Sequence, residues 1–163
     1  MSSPERTGRR SFVKRAATIV GGIAVAGVGV GAGVSHRPAV AFPSDSFGGD
    51  SDLDKRVLLA YASKCGSTGE IAQAIGKRLG EAGVAVDVIP VKTVKSLDGY
   101  DAVVLGSAVR IGQWLPEAKA FLRSRQAELS RLPVAIFTVH LQAIDDSEES
   151  RQKRESYTAP LQP

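Results

Sequence analysis

One cysteine, Cys65, stands among 163 residues, so no disulfide can form within the chain and no resolving thiol is present for a redox pair. A domain so built must stand on packing alone. The body of the chain also lacks the positive charge that its +4 balance advertises. Six of the bases (Arg6, Arg9, Arg10, Lys14, Arg15, Arg37) and a single acid, Glu5, fall in residues 1–41. Fifteen bases and sixteen acids remain in residues 42–163, and that balance gives no support to nucleic acid as a partner. Internal repeats are absent, and no metal site is expected. The length suits one domain with a real core, not two.

What is present begins with an address. "GRRSFVK", Gly8 to Lys14, resembles the twin-arginine export motif. From Ala16 to Val34 every residue is apolar or small except Thr18, and "AVA" at Ala39 to Ala41 fits cleavage before Phe42. The glycine-rich "GVGVGAG" lacks the strand–turn–helix setting of a dinucleotide loop. Residues 1–41 therefore read as a cleaved export signal, with a retained membrane anchor as the second reading. Either places the domain outside the cytoplasmic membrane, and the second adds membrane association. Residues 42–54, "FPSDSFGGDSDLD", read as a flexible linker, leaving 55–163 for the domain.

From Arg56 the chain alternates strands and helices. "VLLAYA" (Val57 to Ala62) suits a strand buried on both faces, and "VAVDVI" (Val84 to Ile89), "DAVVLG" (Asp101 to Gly106) and "PVAIFTV" (Pro133 to Val139) are three more. Ile71, Ile75, Leu79 and Ala82 form one helical stripe that Gly83 ends. Pro116 opens another helix, with Ala118, Phe121, Leu122 and Leu129 facing inward. This alternation predicts an α/β fold on a parallel sheet, with its ligand beyond the carboxyl ends of the strands.

"YASKCGSTGEIA" (Tyr61 to Ala72) lies at such an end. Ser67-x-x-Glu70 has the form of a capping box. Ser63, Ser67 and Thr68 bring three hydroxyls, and Gly66 admits close approach, at the positive end of a helix dipole. A phosphate suits that arrangement, whereas a plain tight turn is the bland alternative. No Gly-Lys-Ser/Thr closes the loop, so it is not the nucleotide-hydrolase type. A C-x5-R phosphatase would need arginine where Ile71 stands, which leaves Cys65 a small loop residue. A phospho-receiver would need acids where the strands end "YAS" and "LGS".

Tyr61, Ser63, Gly66 and Thr68 in that stretch resemble the phosphate loop of flavodoxins. "YDAVVLGSAVRIGQW" (Tyr100 to Trp114) resembles their second flavin loop, and "LPVAIFTVHLQA" (Leu132 to Ala143) completes the set. Within that family the chain most resembles the menaquinone-dependent protoporphyrinogen oxidases over about residues 56–160, with Ala60 smaller than usual. The resemblance implies a flavodoxin-like three-layer fold, sheet order 2-1-3-4, and FMN held at three loops. Ser63, Lys64, Cys65, Gly66, Ser67 and Thr68 would take the phosphate. Ser107, Ala108, Val109, Arg110, Gly112 and Trp114 would line the ring, with Thr138, Val139 and His140 on its other side. Trp114 has two readings, stacking on the ring or packing under the following helix. Arg110 either favours an anionic reduced flavin or is solvated, and His140 is either a proton donor or a surface histidine.

The implied activity is electron transfer, with a quinone or another redox partner. Relatives carry a fifth strand and a final helix, whereas Asp145 to Ser156 holds no apolar side chain. The fourth strand is thus expected to be an open edge that invites self-association. A flavodoxin-derived module with weak or no flavin binding is the alternative function.

Overall fold

The computed structural model describes residues 42–48 and 55–161. The export segment and residues 49–54 of the expected linker lie outside them. In chain order the elements are β1 (Asp45–Phe47), β2 (Arg56–Ala62), α1 (Ser67–Glu81), β3 (Ala85–Pro90), β4 (Ala102–Arg110), β5 (Gln113–Trp114), α2 (Pro116–Ser124), α3 (Gln126–Leu129), β6 (Val134–Val139) and α4 (Glu148–Thr158). A 3-10 turn, Ala159–Leu161, follows.

Strands β3, β2, β4 and β6 run parallel in that spatial order, which is the expected 2-1-3-4. Val57 to Ala62 are all buried, because helices cover both faces of β2. On one face Leu58, Ala60, Ala62, Val103 and Leu105 meet Trp114, Leu115, Ala118 and Phe121. On the other lies α1, whose Gly76 leaves room for Val88 and Phe47; a Cβ added there would sit 2.5 Å from Val88 Cγ2. Gly83 ends α1 at φ +84, and the Val84 amide reaches back to the Leu79 carbonyl. Gly106 of β4 makes way for the Phe137 ring of β6.

Four features depart from expectation. Residues 45–47 form β1, antiparallel to β3, so part of the presumed linker belongs to the sheet. The helix expected over 116–129 breaks at Arg125 (φ −117, ψ 19), whose guanidinium donates to the carbonyls of Val94 and Lys95. Strand β4 continues to Arg110 instead of stopping at Gly106, which carries a hairpin beyond the sheet. The polar tail forms α4 through Ser147, whose Oγ accepts from the Ser150 amide, and it buries Tyr157. Strand β6 pairs only with β4 among the described residues, and Val134 and Ile136 on it are exposed.

Near the amino ends of the strands, Asp87 of β3 ties three segments together. Its carboxylate accepts from Ser46 Oγ of β1 (2.6 Å), Arg56 Nε of β2 (2.9 Å) and the Tyr100 hydroxyl (2.8 Å). Burial pushes Asp87 up, but those hydroxyls and the Arg56 guanidinium outweigh it and hold its carboxyl below 3.8. Burial and the bond to Asp87 push the Tyr100 phenol up to about 12.

Candidate functional site

Three loops leave the carboxyl ends of β2, β4 and β6 on one rim and enclose a cleft of about 530 Å³. The β2–α1 loop contributes Ser63, Lys64, Cys65 and Ser67 to its lining. Within that loop Ser63 Oγ accepts the Gly66 amide at 3.0 Å, which draws the turn closed. Gly66, at φ +94, is the cap of α1, so Ser67 is the first helical residue and the expected capping box does not form. The amides of Gly69 and Glu70 go to the Gly66 carbonyl. Among the described residues those of Ser67 and Thr68 have no protein acceptor, as expected for a first helical turn. Thr68 is fully buried and its Oγ1 has no partner.

The β4–β5 hairpin forms the second wall, through Ala108, Val109, Arg110, Ile111, Gly112 and Leu115. Its two-residue turn needs positive φ at both central positions, and Ile111 (φ 53) and Gly112 (φ 70) supply them. For a β-branched residue that conformation costs roughly 1–2 kcal/mol. Ser107 is buried beneath the hairpin, where its Oγ accepts the Leu115 amide (3.1 Å) and donates to the Ala108 carbonyl (2.9 Å). Its hydroxyl is committed to the loop. Trp114 pairs opposite Val109 and packs in the core with Ala118 and Phe121, so packing under α2, not lining of the cleft, is its role. Its Nε1 is buried without a partner.

Val139 at the end of β6 and His140, Leu141 and Gln142 after it, with Tyr157 of α4, complete the cleft. The His140 Nδ1–H donates to the Gln142 carbonyl at 2.5 Å, and its ring lies 5.5 Å from that of Tyr157. Gly66, Thr68 and Thr138 fall behind the lining, Thr68 beneath Ser67 in the first turn of α1. Ala143, at φ 57, is the other non-glycine residue with left-handed backbone among the described residues. Both such residues stand at this rim, where strain tends to collect at working sites.

Lys64 and Arg110 are the charged residues that line the cleft, and no carboxylate does. Behind Lys64, Glu117 of α2 pairs with it at 3.4 Å and with Lys92 at 3.9 Å. Burial raises Glu117, but its own amide at the start of α2 and the two lysines outweigh that and hold it below 4.5.

Five lining residues escaped the sequence: Ile111, Leu115, Leu141, Gln142 and Tyr157. Tyr157 alone had a signal, being the one aromatic residue after His140.

The flavodoxin domain family matches residues 58–162. The chain belongs to that family. Its similarity to "Protoporphyrinogen IX dehydrogenase [quinone]" of Escherichia coli K12 is 29% identity over 90 residues, 54% of this chain and 50% of that protein. The Leishmania major protein of the same description is 32% identical over 91 residues, 54% of this chain and 39% of that one. The chain thus spans half or less of the length of these relatives. A metal-soaked flavodiiron core, Flv1 of Synechocystis sp. PCC6803, superposes with a TM-score of 0.50 at 23% identity. That likeness covers 64% of this chain and 28% of the other, and it shows the fold alone. The family implies a flavin, and the first turn of α1 fits its phosphate group: two amides without acceptors and a buried hydroxyl without a partner stand together.

Proposed function

We propose that this domain binds FMN in the rim cleft and serves as an electron-transfer oxidoreductase coupled to a quinone. The observation that carries the reading is the unpartnered Thr68 Oγ1 beside the open amides of Ser67 and Thr68. A buried hydroxyl without a partner is destabilising by about 1–3 kcal/mol, so its retention calls for a ligand. Four charge-assisted bonds, from two amides and the hydroxyls of Ser67 and Thr68, at about 1.5–3 kcal/mol each, meet the ~8 kcal/mol of micromolar binding. Lys64, held by Glu117, would add a positive charge beside the dianion.

Bound FMN would supply redox chemistry that takes electrons in pairs and releases them singly. The chain's part is to seat it. The hairpin Val109–Gly112 and the segment Val139–Gln142 would flank the ring, and Arg110 would favour negative charge near it. The bond from Nδ1–H to the Gln142 carbonyl would hold the His140 ring in place at the cleft wall. The quinone reading leans on the description of the E. coli and Leishmania relatives. The twin-arginine motif supports an exported setting, apart from cytoplasmic haem synthesis, so quinone coupling is proposed and porphyrinogen as substrate is not.

The test is the purified full chain, produced with FMN and examined for bound-flavin absorbance and stoichiometry. Ser67→Ala with Thr68→Val should strip the flavin while circular dichroism stays unchanged. A colourless protein that leaves added FMN fluorescence unquenched would overturn the reading and favour a flavin-free module.

A further inference from the structure

We infer that the carboxyl-end rim of the sheet is a membrane-docking surface, whose partner is a phospholipid bilayer met by Phe42, Ile111 and Leu141 with Lys64, Lys92 and Arg110. Among the described residues six large apolar side chains are exposed, and four of them stand at this rim: Phe42 (45%), Ile111 (93%), Leu141 (94%) and Ile144 (82%). The other two, Val134 and Ile136, lie on the β6 edge, Val134 as its first residue, and at 41% and 38% they are the least exposed of the six. Three separate loops bring the four together, so no single packing need explains them.

The hairpin projects. Ser107 pairs with Ala62, the last residue of β2, and β4 then continues three residues to Arg110, about 10 Å further at strand rise. Ile111 at its tip occupies a backbone conformation that Asn or Gly would take more readily, so the turn does not account for the side chain. An apolar tip flanked by a cation suits the boundary between headgroups and acyl chains.

The path of the chain points the same way. Strand β1 runs antiparallel to β3 with Asp45 opposite Val88, so the chain before β1 lies toward the carboxyl end of β3. Phe42 and Ser44 there border a hollow of about 230 Å³ shared with Ser63, Val91 and Lys92. The chain therefore enters the domain at this rim. Only residues 35–41 separate Phe42 from the apolar run Ala16 to Val34, and seven residues span at most roughly 25 Å. Under the second reading, a retained anchor, that short stretch is the whole tether between the apolar run and Phe42. Lys64 and Lys92 share the one carboxylate of Glu117, so with Arg110 the three leave a net positive charge that favours anionic headgroups. Asp145 and Asp146 follow Ile144, so the contact centres on the hairpin and the 42–44 segment.

The test uses the full chain in vesicles of phosphatidylcholine and phosphatidylglycerol and requires no flavin. In a Cys65→Ser background, a fluorophore is placed on single cysteines at Ile111→Cys, Leu141→Cys and, at the opposite end, Arg131→Cys. Lipids carrying a shallow nitroxide quencher should dim the first two several-fold more than the third. Equal quenching at all three, none at any, or stronger quenching at 131 overturns the inference. With the reporter at Ile144→Cys, the pair Ile111→Asp and Leu141→Asp should lower quenching, and unchanged quenching would also overturn it. Both sites are solvent-exposed, and Asp enters the left-handed region more easily than Ile, so the pair leaves the fold intact. Flavin content, measured separately, can fail without touching this result.

Discussion

At the amino end of the sheet Asp87 satisfies Ser46, Arg56 and Tyr100 at once, whereas the rim at the carboxyl end leaves Thr68 Oγ1 and Trp114 Nε1 buried without partners. The contrast extends to the backbone. Both left-handed non-glycine residues, Ile111 and Ala143, stand at the rim. One end closes the fold, and the other leaves buried polar groups unpartnered and backbone strain in place. Two ends of the same four parallel strands can differ this much because the strands fix only direction, and each loop is free to answer a different need.

The largest break in this comparison is Asp87→Ala. Three donors would lose their acceptor and β1 its tie to β3, so stability should fall by about 2–4 kcal/mol, read from urea unfolding. Flavin affinity of the folded fraction should stay as it was. A comparable loss of affinity would mean that the two ends are coupled.

Next comes Thr68→Val, whose two effects have opposite signs. The isosteric change removes a buried hydroxyl that has no partner, so the flavin-free protein should gain stability or keep it. FMN affinity should drop about 10–100-fold, equivalent to the ~1.4–2.8 kcal/mol of one charge-assisted bond. Thermal unfolding with and without FMN separates the two. A variant that loses stability without flavin would show that Thr68 serves packing rather than phosphate.

The parallel strands and their order were legible because buried apolar runs such as "VLLAYA" state their own environment. Strand β1 was not. "DSF" is short and polar, and what holds it lies far away in the chain: Ser46 on Asp87, and Phe47 against Gly76 and Gly80 of α1. The same holds for α4, which has no apolar stripe and buries Tyr157 as its single large side chain. At the site, the loops were legible by composition, but which side chains turn inward was not. Ser67 looked like a cap because the Ser-x-x-Glu pattern ignores Gly66, whose positive φ takes the capping position one residue earlier. Trp114 could stack or pack until its pairing with Val109 turned it into the core.

A pH titration sharpens the amino end further. The Asp87 carboxyl sits lower in the folded chain than when unfolded, so its contribution is complete above about pH 3.8 and is lost as pH falls through the lowered value. The wild type should therefore lose stability on acidification more steeply than Asp87→Asn below that point. Chemical unfolding at stepped pH reads the difference, and parallel slopes would remove Asp87 from the acid limb.

The smallest effect belongs to the rim. Ile111→Asn should raise stability by about 1 kcal/mol, because Asn accepts the left-handed conformation that the hairpin turn imposes and no packing is lost from a side chain 93% exposed. The gain should appear in urea unfolding of the free protein. If Ile111 works at the rim, the same variant should also weaken lipid contact of the hairpin. A variant that is no more stable than the wild type would mean that the turn relaxes at little cost, and strain would no longer distinguish this end of the sheet from the other.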